Sequence, residues 1–120
     1  GQRLVRTICN DCKIKKVFTD AELAAVREAF PPEIVKNNKT FYRGEGCERC
    51  NHSGYKGRIG IHEVFEINEG IREFIMRRAN ADEIRKQAIK DGMVTMTVDG
   101  FEKAVAGVTT IEEVLRVFHE

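Results

Sequence analysis

The four cysteines of the sequence form two closely spaced pairs, Cys9 with Cys12 and Cys47 with Cys50. In each pair two residues separate the thiols, so both sulfurs can face one ion while the intervening backbone amides fold back toward them. Two such pairs complete the tetrahedral shell that a structural zinc ion prefers. We therefore predict that Cys9, Cys12, Cys47 and Cys50 bind Zn²⁺. Four thiolates leave no open coordination position, so the ion is expected to be structural and not catalytic.

Other uses of these thiols remain as alternatives: two disulfides, a redox-active pair, or an iron–sulfur or other soft-metal site. Disulfides need an oxidising compartment, and no hydrophobic leader indicates secretion. His52 could replace a cysteine as a ligand, but the predicted shell has no vacancy for it. The nearby cations are expected to offset the negative charge of a zinc ion bound by four thiolates; they are Lys13, Lys15, Lys16, Arg49 and Lys56.

The composition is that of a small globular protein. The chain has 120 residues, of which 42% are hydrophobic, and its 20 basic and 19 acidic side chains give a net charge of +1. Such a charge creates no overall field to attract nucleic acid or an anionic membrane, and no apolar stretch is long enough to cross a bilayer. We expect a cytoplasmic chain without direct membrane insertion. Because it does not begin with methionine, we also expect it to be a fragment of a longer protein.

A capping box begins the insert between the two cysteine pairs. In the run Thr19–Glu22, the threonine hydroxyl and the glutamate carboxylate can satisfy the first free amides of a helix. Leu23, Val26 and Phe30 follow at helical spacing, and Pro31-Pro32 ends the helix because proline cannot continue the hydrogen-bond ladder. The insert therefore predicts one short helix.

A strand is predicted after the second cysteine pair. The period-two pattern of a half-buried strand is carried by Ile59, Ile61, Phe65 and Ile67. Gly54 precedes it and allows the backbone to curl back toward the sulfurs in a tight turn. Glu63 falls on the apolar side, where a carboxylate needs a partner. We expect either a structural ion pair or hydrogen bond for Glu63, or a functional carboxylate at an interface.

From Asn68 onward the hydrophobic period becomes helical. The helix starts are Asn68, the run Asn80–Glu83, and the run Thr110–Glu113, the last of which is a second capping box. Gly92 and Gly107 are expected to end helices. The apolar positions of these segments are Ile71, Phe74, Ile75, Ile84, Ala88, Ile89, Met96, Phe101, Ala104, Val105, Ile111, Val114, Leu115 and Phe118. We predict three or four short helices packed as a bundle, with Met76, Met93 and Met96 filling the core.

These patterns predict an α+β fold with two lobes. Residues 1–67 would form a small zinc-bound lobe with short strands and one helix, and residues 68–120 a small all-helical C-terminal lobe. The sequence offers no Ser-His-Asp arrangement, no open metal site and no Walker motif, so a binding or assembly role is favoured over catalysis. One hypothesis is therefore a free-standing zinc module that binds nucleic acid or protein, although the near-zero net charge disfavours nucleic acid.

Three runs of the sequence resemble one family closely. They are RLVRTICNDC at residues 3–12, YRGEGCERC at residues 42–50 and GYKGRIGIHE at residues 54–63. The similarity continues through residues 99–103 and 107–117, so it covers essentially the whole chain. The chain resembles the C-terminal region of the type II secretion and type IV pilus assembly ATPases, and the tetracysteine lobe looks like that of secretion and pilus-extension members.

The resemblance implies a position within a larger motor. In this family the tetracysteine lobe binds zinc and projects from a RecA-like ATPase core, which binds ATP and Mg²⁺ upstream of the segment matched here. The fragment itself is then expected not to hydrolyse ATP. The parent would be a cytoplasmic hexamer at the inner-membrane face that drives pilin or pseudopilin assembly through a membrane platform protein. Its ATPase core and neighbouring subunits would be further partners, and the isolated fragment is expected to be a monomer.

Overall fold

The computed structural model describes residues 2–63, 68–90 and 95–119. In chain order the elements are β1 (Gln2–Ile8), β2 (Lys13–Val17), α1 (Asp20–Ala29), α2 (Pro32–Val35), β3 (Thr40–Gly44), a 3-10 turn (Glu48–Cys50), β4 (Tyr55–His62), α3 (Glu69–Met76), α4 (Ala81–Lys90), α5 (Met96–Val105) and α6 (Ile111–Phe118). This mixture of short strands and helices confirms the predicted α+β class. Within the described ranges, no helix has the length and apolar character needed to span a bilayer.

The strands form two separate antiparallel sheets of two strands each. In one sheet β1 pairs with β4, so that Val5 lies opposite Ile59, and the register shifts between Arg6 and Ile8. In the other sheet β2 pairs with β3 as a hairpin whose connection contains α1 and α2. Each strand begins or ends close to a cysteine, so the two sheets meet at the four thiols.

The period-two pattern predicted for β4 is confirmed as far as the structure describes it. Ile61 is completely buried and Ile59 is half-buried, whereas the intervening Gly60 adds no side chain. The other two residues of the pattern, Phe65 and Ile67, lie outside the described residues.

Glu63 has the ion-pair partner that its position requires. Arg85 on α4 donates from Nη2 to Oε1 at 2.7 Å and from Nη1 to Oε2 at 3.1 Å. The hydrogen bonds from Arg85, together with its charge, lower the pKa of the Glu63 carboxyl. This confirms the structural ion-pair interpretation of Glu63.

The predicted capping box at the start of α1 is present in both halves. Thr19 Oγ1 accepts the Glu22 N–H at 3.2 Å, and the Thr19 N–H donates to Glu22 Oε1 at 3.1 Å. The helix ends at Ala29, before Pro31, as expected from the missing amide of proline. Leu23 and Val26 face the core from this helix, and Phe30 is buried just after its end.

The larger hydrophobic cluster joins the two halves of the chain. Its buried members are Leu23, Val26, Phe30, Val35, Phe41, Phe101, Ala104, Ile111 and Val114. Phe101 of α5 lies at its centre, with ring centroids 5.1 Å from Phe30 and 5.9 Å from Phe41. A smaller cluster of Val5, Ile61 and Val117 packs α6 against the β1–β4 sheet. Burial in these clusters, and not helix propensity, holds α5 and α6 in place.

The edge of β1 that faces away from β4 is covered by the α5–α6 turn and by α6. The Ile8 N–H donates to the Val108 carbonyl at 2.9 Å, and Thr109 Oγ1 donates to the Arg6 carbonyl at 2.7 Å. The Arg6 N–H donates to Glu113 Oε2 at 2.8 Å. Side chains and a turn therefore satisfy backbone groups that a third strand would otherwise pair.

The contacts of Glu113 differ from those predicted from the sequence. Thr110 Oγ1 accepts the Glu113 N–H at 3.1 Å, so the cap of α6 is formed, but the glutamate carboxylate does not return to complete a capping box. The Glu113 carboxylate is buried instead between two arginines: Oε1 lies 2.7 Å from Arg6 Nη2, and Oε2 lies 2.9 Å from Arg116 Nη2. Although burial opposes ionisation, the hydrogen bonds from Arg116 and Arg6 lower the pKa of Glu113 to about 2.

The four helices of the second half form two pairs and not the single bundle that we expected. α3 packs with α4, and α5 packs with α6; α5 also contacts β3 and β4, and α6 contacts β1. The expectation that methionines fill the core is wrong for Met76, which is 81% exposed, and holds for Met96, which packs on the smaller cluster. Gly92 and Met93 lie outside the described residues. The division into lobes at residues 67 and 68 stays a prediction, and the larger cluster spans that division.

We expect Glu113→Gln to lower the free energy of unfolding at neutral pH by about 1 to 3 kcal/mol, because two arginines and a backbone amide lose a buried anion. A lowered pKa stabilises the fold above the ordinary glutamate range, and this stabilisation is lost as the pH falls toward 2. Denaturant unfolding at several pH values should therefore show a flatter acid dependence for this variant. Glu112→Gln, at an exposed neighbour, is the control. Equal stability of the Glu113→Gln variant and the wild type would contradict this role.

Candidate metal centre

Each thiol lies at a strand or turn boundary. Cys9 directly follows β1, and Cys12 directly precedes β2. Cys47 directly precedes the 3-10 turn between β3 and β4, and Cys50 is the last residue of that turn. The pairing of β1 with β4 and of β2 with β3 therefore brings together loops that lie 38 residues apart in sequence.

The four sulfurs form one compact group. All four Sγ atoms lie within 4.8 Å of one another. The Sγ–Sγ distances are 3.7 Å for Cys47–Cys50, 3.8 Å for Cys9–Cys47 and 3.9 Å for Cys12–Cys50. A tetrahedron of thiolates around a metal with bonds of about 2.3 Å has edges of about 3.8 Å. None of the four is in a disulfide. The arrangement can therefore hold one metal ion.

Backbone amides point at two of the sulfurs. The Gly46 N–H donates to Cys12 Sγ at 3.4 Å. Cys50 Sγ accepts two such bonds, from the Cys47 N–H at 3.2 Å and from the Gly54 N–H at 3.3 Å. Amide donors stabilise a thiolate, which is the form that binds a metal. None of these donors lies between the cysteines of a pair, so the folded-back amides come from other positions than those that the spacing predicted.

The thiols differ in acidity without a metal. Burial raises the pKa of Cys12 to about 12. Burial opposes ionisation of Cys50 as well, but the amide bonds from Cys47 and Gly54 lower the pKa of Cys50 to about 6. A metal ion that binds all four thiolates must therefore displace protons, so its affinity rises with pH.

Two glycines allow the loops to approach this closely. Gly54 has φ of +84°, which confirms the predicted curl of the backbone, and its carbonyl accepts the Cys9 N–H at 2.9 Å. Gly44, at the end of β3, lies against it: a Cβ on Gly44 would be 2.2 Å from the Gly54 carbonyl oxygen. Gly44 was not predicted as part of the site, because nothing in its local sequence pattern indicates contact with Gly54.

Three of the five cations near the cysteines have other partners among the described contacts. Lys13 Nζ donates to the Gly107 carbonyl at 3.1 Å and lies 5.8 Å from the Tyr42 ring centroid. Lys16 pairs with Glu22 at 3.1 Å, and Arg49 with Asp11 at 3.8 Å. Their predicted effect on the charge of the centre would therefore act through space and not through bonds to sulfur.

None of the three histidines belongs to the thiol group. His52 is exposed, with φ of +62°, and its N–H donates to the Cys47 carbonyl at 2.8 Å. His62 and His119 are exposed as well. Across residues 2–63, 68–90 and 95–119, the four cysteines are the one group of potential ligands compact enough to hold a metal ion.

A second set of contacts, which the sequence did not indicate, ties the centre to α6. Tyr55, the first residue of β4, shares a hydrogen bond of 2.8 Å with Thr110 Oγ1, and the Arg6 guanidinium lies 4.2 Å from the Tyr55 ring centroid. Burial raises the pKa of the Tyr55 hydroxyl. Because these residues are far apart in sequence, only the folded chain brings them together.

Comparison with known proteins identifies relatives along the whole chain. A profile of the family described as "Type II/IV secretion system protein" matches residues 1–116. The type II secretion system protein E of Aeromonas hydrophila is 40% identical over 120 residues, which is 100% of this chain and 23% of that protein. The type IV pilus assembly ATPase PilB of Thermus thermophilus is 43% identical over 115 residues, 96% of this chain and 13% of that protein. The type II secretion system ATPase E of Vibrio cholerae is 39% identical over 120 residues, 100% of this chain and 23% of that protein. The chain thus spans less than a quarter of the length of these relatives.

We expect Gly44→Ala to weaken metal binding about 10- to 100-fold, because the added methyl group displaces the Gly54 backbone that donates to Cys50. Cobalt(II) titration followed by competition with a chelator measures this affinity. Gly100→Ala is the control: its methyl group would meet Val114 Cγ1 at 2.8 Å, within the α5–α6 contact, so it should reduce stability but not metal affinity. Unchanged affinity in the Gly44→Ala variant would show that the close approach is not needed.

Proposed function

The chain belongs to the type II/IV secretion system protein family, and we propose that it is the zinc-stabilised, non-catalytic C-terminal region of a secretion or pilus-assembly motor ATPase. The observation that carries the proposal is the compact tetrathiolate group in a chain that matches this family over residues 1–116. Several relatives are named as ATPases, and the chain spans a small part of their length. In the proposal, ATP and Mg²⁺ bind to an upstream core, and this region performs no hydrolysis itself.

The ion that we propose at Cys9, Cys12, Cys47 and Cys50 is Zn²⁺. Zinc has no geometric preference from its d electrons and accepts a tetrahedral set of four thiolates readily. The Sγ–Sγ distances of 3.7 to 3.9 Å support such a set, and four protein ligands leave no site for a reacting water. When bound, the ion would supply structural stabilisation and not Lewis-acid catalysis.

The role of the ion would be to fasten the β2–β3 hairpin to the β1–β4 sheet. Cys9 and Cys12 lie on the connection from β1 to β2, and Cys47 and Cys50 on the connection from β3 to β4. A bond network between these connections closes the long loop that contains α1 and α2. The hairpin and its helices would then move as one body with β1.

In the proposed parent, this rigid region relays nucleotide-driven movement of a hexameric ATPase core. Its partners would be that core, neighbouring subunits, and an inner-membrane platform protein at the cytoplasmic face. The output would be assembly of pilin or pseudopilin subunits. Contacts of β1 with α6 support transmission, because the Arg6 amide and carbonyl both bond to the α5–α6 region.

We expect Cys47→Ser to reduce zinc from about one ion per chain to a small fraction and to abolish the cooperative melt of the metal-bound protein, because structural zinc supplies on the order of 10 kcal/mol to small modules. Elemental analysis and thermal melts with and without a strong chelator measure both effects. His52→Ala is the matched control, since His52 lies in the same loop but outside the thiol group. Metal-free wild-type protein with an unchanged, chelator-insensitive melt would overturn the zinc proposal.

The motor role has its own test in the proposed parent. Introducing Cys47→Ser there should reduce pilus or secretion output while the purified variant retains basal ATP hydrolysis, because the change lies outside the catalytic core. Normal output with full loss of zinc would contradict the coupling role. Tight binding of the wild-type chain to DNA or RNA that weakens steeply with salt would instead support a nucleic-acid module.

A further inference from the structure

The strand β2 has a free edge. It pairs with β3 alone, and β3 also contacts β1 and α5. Over the part of the chain that the structure describes, no other strand covers β2. An edge of this kind presents a row of unpaired N–H and C=O groups to solvent.

The hydrogen-bond pattern shows which residues present these groups. The Phe18 N–H donates to the Lys39 carbonyl at 2.8 Å, and the Glu45 N–H donates to the Cys12 carbonyl at 3.1 Å. Bonded and non-bonded pairs alternate in an antiparallel ladder, so the even-numbered residues of β2 bond toward β3. The backbone groups that point outward are therefore those of Lys13, Lys15 and Val17.

The side chains of the same three residues share the face of the hairpin opposite Phe18 and Phe41, where Lys13 Nζ donates to the Gly107 carbonyl at 3.1 Å. On the core face, the Phe18 and Phe41 ring centroids lie 4.6 Å apart with the rings tilted by 42°, and Lys16 Nζ lies 3.1 Å from Glu22 Oε2. On the outer face, Lys15 is exposed and has no described ion pair, and Val17 is 68% exposed. The outer face thus presents an exposed cation at Lys15 and an exposed apolar side chain at Val17 along an open edge.

We propose that this edge binds an extended, acidic segment of a protein partner, which adds to β2 as a third strand. Main-chain bonds to Lys13, Lys15 and Val17 would provide the affinity, and carboxylates of the partner beside Lys15 would provide the specificity. An apolar residue two positions away in the partner would cover Val17, because alternate side chains of a strand face one way. The proposal does not depend on the proposed motor role.

The charge pattern selects this occupant over a second copy of the chain. If two β2 edges paired antiparallel about their centres, Lys15 would lie opposite Lys15, and like charges in that position are destabilising. An acidic partner strand would instead place a carboxylate opposite Lys15, where the two charges attract. The thiol group lies at the base of the hairpin, because Cys12 precedes β2 and Cys47 follows β3. It holds the β2 edge in place, which reduces the entropic cost of ordering the edge when a partner binds.

The test uses the zinc-loaded chain and a short capped peptide in which glutamate and valine stand two positions apart with threonine between them, so that both face the same side of the added strand. Amide hydrogen exchange measured by NMR gives the readout at single residues. At saturating peptide, the outward amides of Lys15 and Val17 should exchange at least about tenfold more slowly, while the amides of Ile14 and Lys16, already bonded to β3, should change little. A peptide with lysine in place of glutamate should bind much more weakly.

Variants at one position separate the backbone from the charge. Lys15→Pro removes an outward N–H without removing a bond to β3, and edge strands tolerate proline there; we expect peptide affinity to fall about three- to tenfold. Lys15→Glu keeps the N–H, reverses the charge and tests the proposal even if the proline variant fails to fold; it should weaken binding further and reverse its salt dependence. Lys16→Ala, on the core face, is the matched control and should leave affinity nearly unchanged.

Three results would overturn the proposal. One is unchanged exchange of Lys15 and Val17 at a peptide concentration that saturates binding elsewhere on the chain. Another is equal affinity for the glutamate and lysine peptides, which would show that the lysines only prevent edge association. A third is displacement of the peptide by a short oligonucleotide that protects no β2 amide, which would indicate a polyanion patch and not strand addition.

Discussion

The strand β1 is the element on which the rest of the structure depends. One edge pairs with β4, and the other bonds to Val108, Thr109 and Glu113 of the α5–α6 region. Its last residue is followed directly by Cys9. A buried backbone amide without a partner costs about as much as a lost hydrogen bond, so these partners are constrained to stay in place. The sheet, the C-terminal helix and the thiol group are consequently fastened to a single strand.

The thiol group lies in a part of the chain that the two hydrophobic clusters do not stabilise. A short chain buries a smaller fraction of its surface than a long one, and metal ions commonly compensate for this in small modules. Here the two hydrophobic clusters hold α1, α5 and α6, whereas the turns that carry the cysteines contribute little apolar surface. Metal–thiolate bonds would stabilise the chain where apolar packing is thin. The close approach of Gly44 to Gly54 allows the same two cysteine-bearing loops to come together.

The α5–α6 turn connects the helical half of the chain to the first half. The turn at residues 107–110 contacts three parts of the first half: β1 through Ile8, β2 through Lys13, and β4 through Tyr55. A displacement applied to β1 would therefore carry the hairpin and α6 along with it. In the proposed motor, a region with such junctions acts as a lever, and its free β2 edge lies on the hairpin, where an acidic partner could engage it.

Features determined by neighbouring residues could be predicted from the sequence alone. The Cys-x-x-Cys spacing identified the two pairs of thiols, the run Thr19–Glu22 identified the start of α1, and the alternation at Ile59 and Ile61 identified β4, because each depends on residues within a few positions. The meeting of the two pairs in one group depends on strand pairing across 38 positions. The identity and role of the bound ion stay predictions. Resemblance to a family, carried by long runs of residues, indicated the class of protein.

Tertiary structure alone decided the features that depend on contacts between distant residues. Glu113 has the local pattern of a capping box, but the amide and guanidinium of Arg6, 107 positions away, compete for its carboxylate and bind it. Met76 satisfies a helical apolar pattern yet remains exposed, because no described element packs over it. The packing of α5 against β3 and the end of α1 follows from the fit of Phe101 between Phe30 and Phe41. Such outcomes depend on the relative free energies of competing long-range contacts, which local spacing does not encode.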